Sequence, residues 1–174
     1  TGSLAKTGYT YNGWSTSSND TDGTASYSAG GTYSSNANAT LYPAWKVVTY
    51  TLSYDLAGGS VGTANPTSYT ITSSKITLNN PTKTGYTFAG WTGTGLSSAS
   101  TSVTIASGST GNRSYTATWS NAIEYTISYA GLEGATVSGN PTSYTVEDED
   151  ITLNNPTKAG YTFAGWTGTE LEEA

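Results

Sequence analysis

The stretch Thr84-Gly85-Tyr86-Thr87-Phe88-Ala89-Gly90-Trp91 decides the fold class, because the chain contains it three times. It returns with one change at Ala159–Trp166, and with Tyr and Asn in place of Phe and Ala at Thr7–Trp14. The tryptophans that end the three copies are 77 and 75 residues apart. Self-similarity at a fixed period is typical of repeat proteins. The sequence therefore predicts an array of units of about 75 residues.

Two further strings keep the same spacing. Asn65–Thr70 returns as Asn140–Thr145, and Ile76–Lys83 returns unchanged as Ile151–Lys158. Long identical strings at a constant offset exclude chance similarity of short motifs. The repeat unit is therefore defined over most of its length.

The order of these strings divides the chain into three segments. The first segment, residues 1–46, is the second half of a repeat, since it ends in a closing Leu-Tyr-Pro-Ala-Trp string. The complete repeat, residues 47–120, closes with Tyr-Thr-Ala-Thr-Trp. The third segment, residues 121–174, is the first part of another repeat. Because the sequence starts and stops inside repeats, we expect that it was cut from a longer array.

Inside the complete repeat, apolar and polar residues alternate. Tyr50, Leu52, Tyr54 and Leu56 are separated by polar residues, which is the period-2 pattern of a strand with one buried face. Gly and Ser then mark a turn at 57–60. The same reasoning predicts strands or short extended segments at 68–72, 76–78, 85–91, 102–106 and 114–119. A helical turn at 74–79 is the alternative to the strand at 76–78.

The composition also favours a mainly β chain. The chain lacks Cys, Met, His and Gln, and is rich in Gly, Ser, Thr, Asn and Tyr. Thr, Tyr and Trp favour strands, whereas Gly, Asn and Ser favour turns. The 12% aromatic content argues against disorder. A unit of this size buries about 60% of its unfolded surface, so we expect neighbouring repeats of the same chain to be its partners.

On these strings the chain resembles the Listeria–Bacteroides repeat family, also called internalin B-type B repeats. The resemblance implies tandem β-grasp-like modules in an elongated array within large cell-surface proteins. An immunoglobulin-like β-sandwich is the alternative fold. Residues 108–115 and 131–134 depart from the family pattern. The resemblance is carried by the GYTFAGW strings, the NNPTKTGY string, the opening at 50–59 and the closing string at 41–45.

Catalysis is poorly supported by the residue types present. Without His and Cys, the common nucleophile–base pairs and most zinc sites are excluded. The carboxylates do not recur with the repeat, since Asp55 is matched by Ala130. We predict that the chain is not an enzyme and needs no cofactor.

Two acidic stretches are candidate cation sites. Asn19–Gly23 resembles the core of a calcium loop, but Ala29 stands where an EF-hand needs Glu. An Asx-rich turn is the preferred interpretation. The run Glu147–Asp150 is matched by Thr72–Lys75 in the complete repeat, which favours a solvated turn. We therefore predict no metal site.

Aromatic residues divide into two groups. Tryptophans that recur at one position in each repeat are predicted to fill the core, while tyrosines outside the strictest matches are candidates for a ligand platform. The predicted core tryptophans are Trp14, Trp45, Trp91, Trp119 and Trp166. The candidate platform tyrosines are Tyr11, Tyr27 and Tyr33.

Charge and hydropathy narrow the functional classes. The net charge of −6 argues against nucleic-acid binding, because contacts with phosphate need Lys and Arg. No apolar run approaches the ~18 residues that a membrane span needs. The leading hypothesis is an extracellular spacer or stalk of a bacterial surface or secreted protein. An adhesive module that binds host glycan or protein is the alternative. The half-repeats at the two ends also predict head-to-tail self-association, since their unpaired strand edges complement each other.

Overall fold

A computed structural model describes residues 4–18 and 22–169, in which there are ten strands and no helix. This confirms the prediction of a mainly β chain. The segment at 76–77 is a strand and not the helical turn considered as its alternative. The strands are β1 Tyr9–Ser15, β2 Tyr42–Val47, β3 Thr49–Asp55, β4 Ser68–Thr70, β5 Ile76–Thr77, β6 Tyr86–Gly93, β7 Thr104–Ile105, β8 Arg113–Ala122, β9 Tyr125–Thr126 and β10 Ser143–Tyr144.

The largest sheet has four strands in the order β4-β3-β8-β6. β3 pairs antiparallel with β4, with Tyr50 opposite Tyr69. The two central strands, β3 and β8, are parallel, and Tyr54 lies opposite Tyr115. The first strand of the complete repeat thus pairs directly with its last.

The core of the complete repeat lies on one face of this sheet. Alternate residues of the strands turn inward, as the period-2 pattern predicts, and Trp91 is fully buried. The two-stranded β5-β7 sheet adds Ile105, with Leu78 and Val103 beside it. The buried cluster comprises Leu52, Tyr69, Leu78, Trp91, Val103, Ile105, Tyr115 and Ala117.

The first segment contains the β1-β2 hairpin, whose register shifts between Tyr11 and Gly13. This bulge brings Trp14 against a further stretch of chain, and Trp14 exchanges two backbone hydrogen bonds with Tyr27 at 2.8 and 2.9 Å. A Cβ on Gly13, whose φ is 127°, would clash with the Tyr27 carbonyl oxygen. Only glycine therefore permits this approach.

The third segment repeats the opening of the complete repeat. β9 pairs antiparallel with β10, so that Tyr125 lies opposite Tyr144. The stretch 161–168, which corresponds to β6, is not a strand. In the complete repeat β6 pairs with β8, and the described residues of the third segment include no counterpart of β8. Its backbone groups therefore lack the partner that makes β6 a strand.

Two compact units divide the described chain. The first comprises the residues up to Thr82 together with Phe88–Trp119. The second comprises Lys83–Thr87 together with the residues from Ser120 onward. The short stretch Lys83–Thr87 thus belongs to the same unit as the third segment, although it lies within the sequence of the complete repeat.

Candidate functional site

The recurring tryptophans pack edge-to-face against one aromatic residue of the GYTFAGW string. Phe88 lies 5.6 Å from both Trp91 and Trp119, measured between ring centroids. Tyr11 lies 5.9 Å from Trp14 and 5.8 Å from Trp45 in the same arrangement. Such pairs are favourable beyond the area that they bury. Trp91 is fully buried, and the other four tryptophans are half-buried.

The candidate platform tyrosines fall into two places. Tyr27 and Tyr33 form a ring pair at 5.5 Å, with an angle of 64° between the ring planes. Tyr33 is 37% exposed, and its hydroxyl donates to the carbonyl oxygen of Ala37 at 2.9 Å. Tyr11 instead occupies the position of Phe88, between two tryptophans. The match of Tyr11 to Phe88 was already visible in the sequence, since both follow Gly-Tyr-Thr.

The tryptophan indole N–H groups differ in their hydrogen bonding between the two copies of the string GYTFAGW. Trp91 Nε1 donates to Asn80 Oδ1 at 3.0 Å. Trp166 Nε1 is buried and has no hydrogen-bond partner among the described residues. Trp166 borders a groove of about 270 Å³ that Leu132 and Phe163 also line. Trp166 therefore borders an open groove in the third segment, whereas the equivalent Trp91 lies in the packed core of the complete repeat.

A turn that we did not single out from the sequence recurs three times. The Lys-Gly-Tyr turns are residues 6–9, 83–86 and 158–161. In each, the tyrosine N–H donates to the lysine carbonyl oxygen at 3.0 to 3.1 Å. The lysine Nζ lies over the tyrosine ring, at 4.1, 4.2 and 4.7 Å from its centroid. These are cation–π contacts, and the constant Lys-x-Gly-Tyr spacing was the signal that could have found them.

The acidic run of the third segment is exposed, and part of it serves local contacts. Glu147 accepts a hydrogen bond from the Tyr86 hydroxyl at 2.6 Å. This hydrogen bond, followed by desolvation and the carboxylate charge, raises the pKa of Tyr86 above its ordinary value. Asp148 Oδ2 accepts from Thr145 N at 2.6 Å, which closes a turn. Two of the four carboxylates in this run, those of Glu147 and Asp148, therefore accept hydrogen bonds from the chain itself.

Paired asparagines hold the loops of both opening halves together. Asn65 Nδ2 donates to the Asn79 carbonyl oxygen at 3.0 Å, and Asn65 Oδ1 accepts from Asn79 N at 2.7 Å. Asn140 and Asn154 repeat this pair at 3.1 and 2.6 Å. The recurrence of Asn-Pro and Asn-Asn at a fixed separation was the sequence signal for this contact.

A comparison with protein families matches three stretches of the chain to the Listeria-Bacteroides repeat domain, at residues 2–43, 50–116 and 125–172. The chain belongs to the Listeria–Bacteroides repeat family. The resemblance found in the sequence is thereby confirmed. No curated protein and no solved structure matched the chain.

The described part of this Listeria–Bacteroides repeat chain shows little chemistry beyond packing and hydrogen bonding. Among the described residues, no group of three or more His, Cys, Asp or Glu side chains is placed so that it could hold a metal ion. Asn19–Thr21 of the calcium-loop-like stretch lie outside the described residues, whereas Asp22 Oδ1 accepts from Thr24 N at 2.8 Å. A search of the described residues for a helix capable of crossing a membrane found none.

Proposed function

We propose that this chain is a non-catalytic, extracellular spacer segment of a bacterial surface or secreted protein. One observation carries the proposal: polar side chains that recur with the repeat bind the chain's own backbone. Tyr54 and Tyr129 illustrate it, since their hydroxyls donate to the carbonyl oxygens of Pro66 and Pro141 at 2.9 and 2.7 Å. These recurring hydroxyl groups therefore serve the fold of each unit.

The asparagine pairs extend the same argument. Asn79 Nδ2 donates to the Thr63 carbonyl oxygen at 3.1 Å, and Asn154 Nδ2 donates to that of Ser138 at 3.0 Å. The side-chain amides of Asn79 and Asn154 are exposed, and each donates to a backbone carbonyl oxygen, which stabilises its loop. A module with this arrangement suits the role of a spacer, in which each repeat contacts mainly its neighbours.

The fold that we propose for each module is β-grasp-like. It is supported by the parallel central pair β3 and β8, flanked by the antiparallel strands β4 and β6. An immunoglobulin-like sandwich divides its strands between two sheets that pack face to face, whereas here β3, β4, β6 and β8 lie in one mixed sheet. β5 lies in sequence between β4 and β6, where a β-grasp has its helix, and it pairs with β7, which lies between β6 and β8.

Small-angle X-ray scattering of the chain tests the spacer proposal. A compact globule of this length would have a radius of gyration of about 16 Å. A clearly larger value, with a cross-section that fits a single module, is the expected result for repeats arranged in a row. A radius of gyration near that of the globule would count against a spacer.

A second candidate function is adhesion to a host glycan or protein. The observation that favours it is Tyr33, whose ring is exposed beside Tyr27. Because the two ring planes are steeply inclined, they do not form one flat platform, and a sugar would stack on Tyr33 alone. Glycan-array binding that is lost in Tyr33→Ala and kept in Tyr11→Phe would support adhesion. Absence of binding in the unaltered chain would remove its basis.

Self-association through the half-repeats is a further part of the proposal. β2 of the first segment corresponds to β8, and β9 of the third segment corresponds to β3. A second copy is therefore expected to pair its β2 with β9, as β8 pairs with β3 in the complete repeat. Light scattering over a wide concentration range measures this directly. A molar mass that stays at one chain, 18.0 kDa, would exclude it.

A further inference from the structure

The first Lys-Gly-Tyr turn contacts two positions in the opening half of the complete repeat. Gly8 has a φ of 76°, and a Cβ atom built on it would come within 2.6 Å of the Ile71 side chain. The Gly8 carbonyl oxygen accepts a hydrogen bond from Val48 N at 2.9 Å. The turn is therefore met by an aliphatic side chain on one side and by a backbone donor on the other.

The second turn makes the same two contacts one repeat later. Gly85 has a φ of 72°, and a Cβ atom built on it would clash with the Val146 side chain. The Gly85 carbonyl oxygen accepts a hydrogen bond from Ile123 N at 2.8 Å. Val146 and Ile123 lie 75 residues after the positions that contact Gly8. The whole contact thus recurs with the period of the repeat.

The division into compact units agrees with these contacts. Each contact lies inside one unit, and Lys83–Thr87 groups with the residues from Ser120 onward. The turn at 83–86 is therefore packed with the segment that follows it, while the rest of the complete repeat up to Trp119 groups with the first segment.

The third turn supplies a comparison without these contacts. Gly160 has a φ of 78°, close to those of Gly8 and Gly85, but no atom of the described residues lies within 4 Å of a Cβ built on it. Tyr161 is 73% exposed, whereas Tyr9 and Tyr86 are half-buried. Lys158 nevertheless lies over the Tyr161 ring. The conformation of the turn is thus set before any partner covers it, which lowers the ordering cost of binding.

We propose that the Lys-Gly-Tyr turn is the docking element by which one repeat recognises the opening half of another repeat. The recognised partner carries a β-branched aliphatic side chain, Ile71 or Val146, against the glycine. It also presents a backbone N–H, that of Val48 or Ile123, to the glycine carbonyl oxygen. Glycine is required twice, for the left-handed conformation and for the room that the aliphatic side chain fills. The inference holds whether the array acts as a spacer or as an adhesin.

A matched pair of variants in the full chain tests the docking contact. Gly85→Ala and Gly160→Ala impose the same backbone strain, but only the first brings a methyl group against Val146. Amide hydrogen exchange at Ile123 is the readout. We expect Gly85→Ala to accelerate it on the order of tenfold, as for a broken hydrogen bond, and Gly160→Ala to change it less than about twofold. Equal acceleration in both variants would overturn the proposal.

A compensating substitution separates docking from general loss of stability. The atoms nearest to a Cβ on Gly85 are the two Cγ atoms of Val146, which Val146→Ala removes. The amide of Ile123 should exchange more slowly in Gly85→Ala/Val146→Ala than expected if the accelerations of the two single variants were multiplied. In Gly160→Ala/Val146→Ala the effects should combine independently. If Gly85→Ala does not fold, Val146→Ala alone should still accelerate exchange at Ile123, and an unchanged rate would overturn the proposal.

Discussion

The string GYTFAGW is identical in the complete repeat and in the third segment, yet its surroundings differ. Trp91 is fully buried and its indole N–H donates to Asn80, whereas Trp166 is half-buried and its buried N–H has no partner among the described residues. Tyr86 is half-buried, whereas Tyr161 is 73% exposed. The local sequence therefore sets the turn and the ring pair, while burial depends on strands and neighbours distant in sequence.

The largest expected effect separates the two tryptophans. Trp91→Ala should lower the free energy of unfolding of its unit by about 3–5 kcal/mol, since it empties the centre of the core. Trp166→Ala should cost roughly half as much, because part of its ring already contacts solvent. Denaturant unfolding combined with native-state hydrogen exchange assigns each loss to its unit. Equal losses would contradict the difference in packing.

A milder pair of variants checks the indole nitrogens. Trp91→Phe removes the hydrogen bond to Asn80 and leaves the fully buried site of the indole partly empty, so it should cost about 1–3 kcal/mol. Trp166→Phe removes a buried N–H that has no hydrogen-bond partner among the described residues, so the free energy of unfolding should change little or rise. The same unfolding measurements apply. A larger loss in Trp166→Phe than in Trp91→Phe would reverse the comparison.

The asparagine pairs give the next effect in size. Asn65 is buried and makes two hydrogen bonds with the Asn79 backbone, so Asn65→Ala should cost about 1–3 kcal/mol. Asn140 makes the same bonds at more exposed atoms, where water can replace it, and Asn140→Ala should cost under about 1 kcal/mol. Thermal unfolding of the two variants compares them. Losses of equal size would show that burial does not distinguish the two loops.

Sequence reasoning predicted the elements whose signal is local. The alternation of Tyr50, Leu52 and Tyr54 predicted β3, and the repeated string predicted β6. The parallel pairing of β3 with β8 had no local signal, because it joins residues about 60 positions apart through backbone groups that every residue carries. Periodicity shows which face of a strand is buried, but it does not show which strands lie next to each other.

The functional residues show the same division. The position of Tyr11 could have been predicted by matching it to Phe88, since the two strings are aligned without a gap. The cation–π contacts of the Lys-Gly-Tyr turns required the left-handed glycine, which folds the lysine back over the ring. The contact of Gly85 with Val146 joins residues of two different repeats. The repeat period predicts it only if the equivalent contact of Gly8 with Ile71 is already known.

The smallest expected effect concerns pH and the hydrogen bond between Tyr86 and Glu147. The pKa of Tyr86 is raised, so the folded chain holds this proton more tightly than the unfolded chain does. The stabilisation is therefore complete below the ordinary tyrosine pKa of about 10, and is lost as the pH rises through the raised value. The pair lies in an exposed place, so solvent screens it and the effect is small.

Comparison of the unaltered chain with Tyr86→Phe isolates this effect from the other tyrosines. The difference in denaturation midpoint between the two should be constant from about pH 6 to pH 9 and should vanish above the raised pKa. Glu147→Gln is the matched control, since its amide oxygen still accepts from the hydroxyl but carries no charge. In that background Tyr86 should ionise at a lower pH, because both the charged acceptor and the carboxylate field are gone. Phe keeps the ring contact with Lys83, so a midpoint difference that persists at high pH would contradict its assignment to the hydrogen bond between Tyr86 and Glu147.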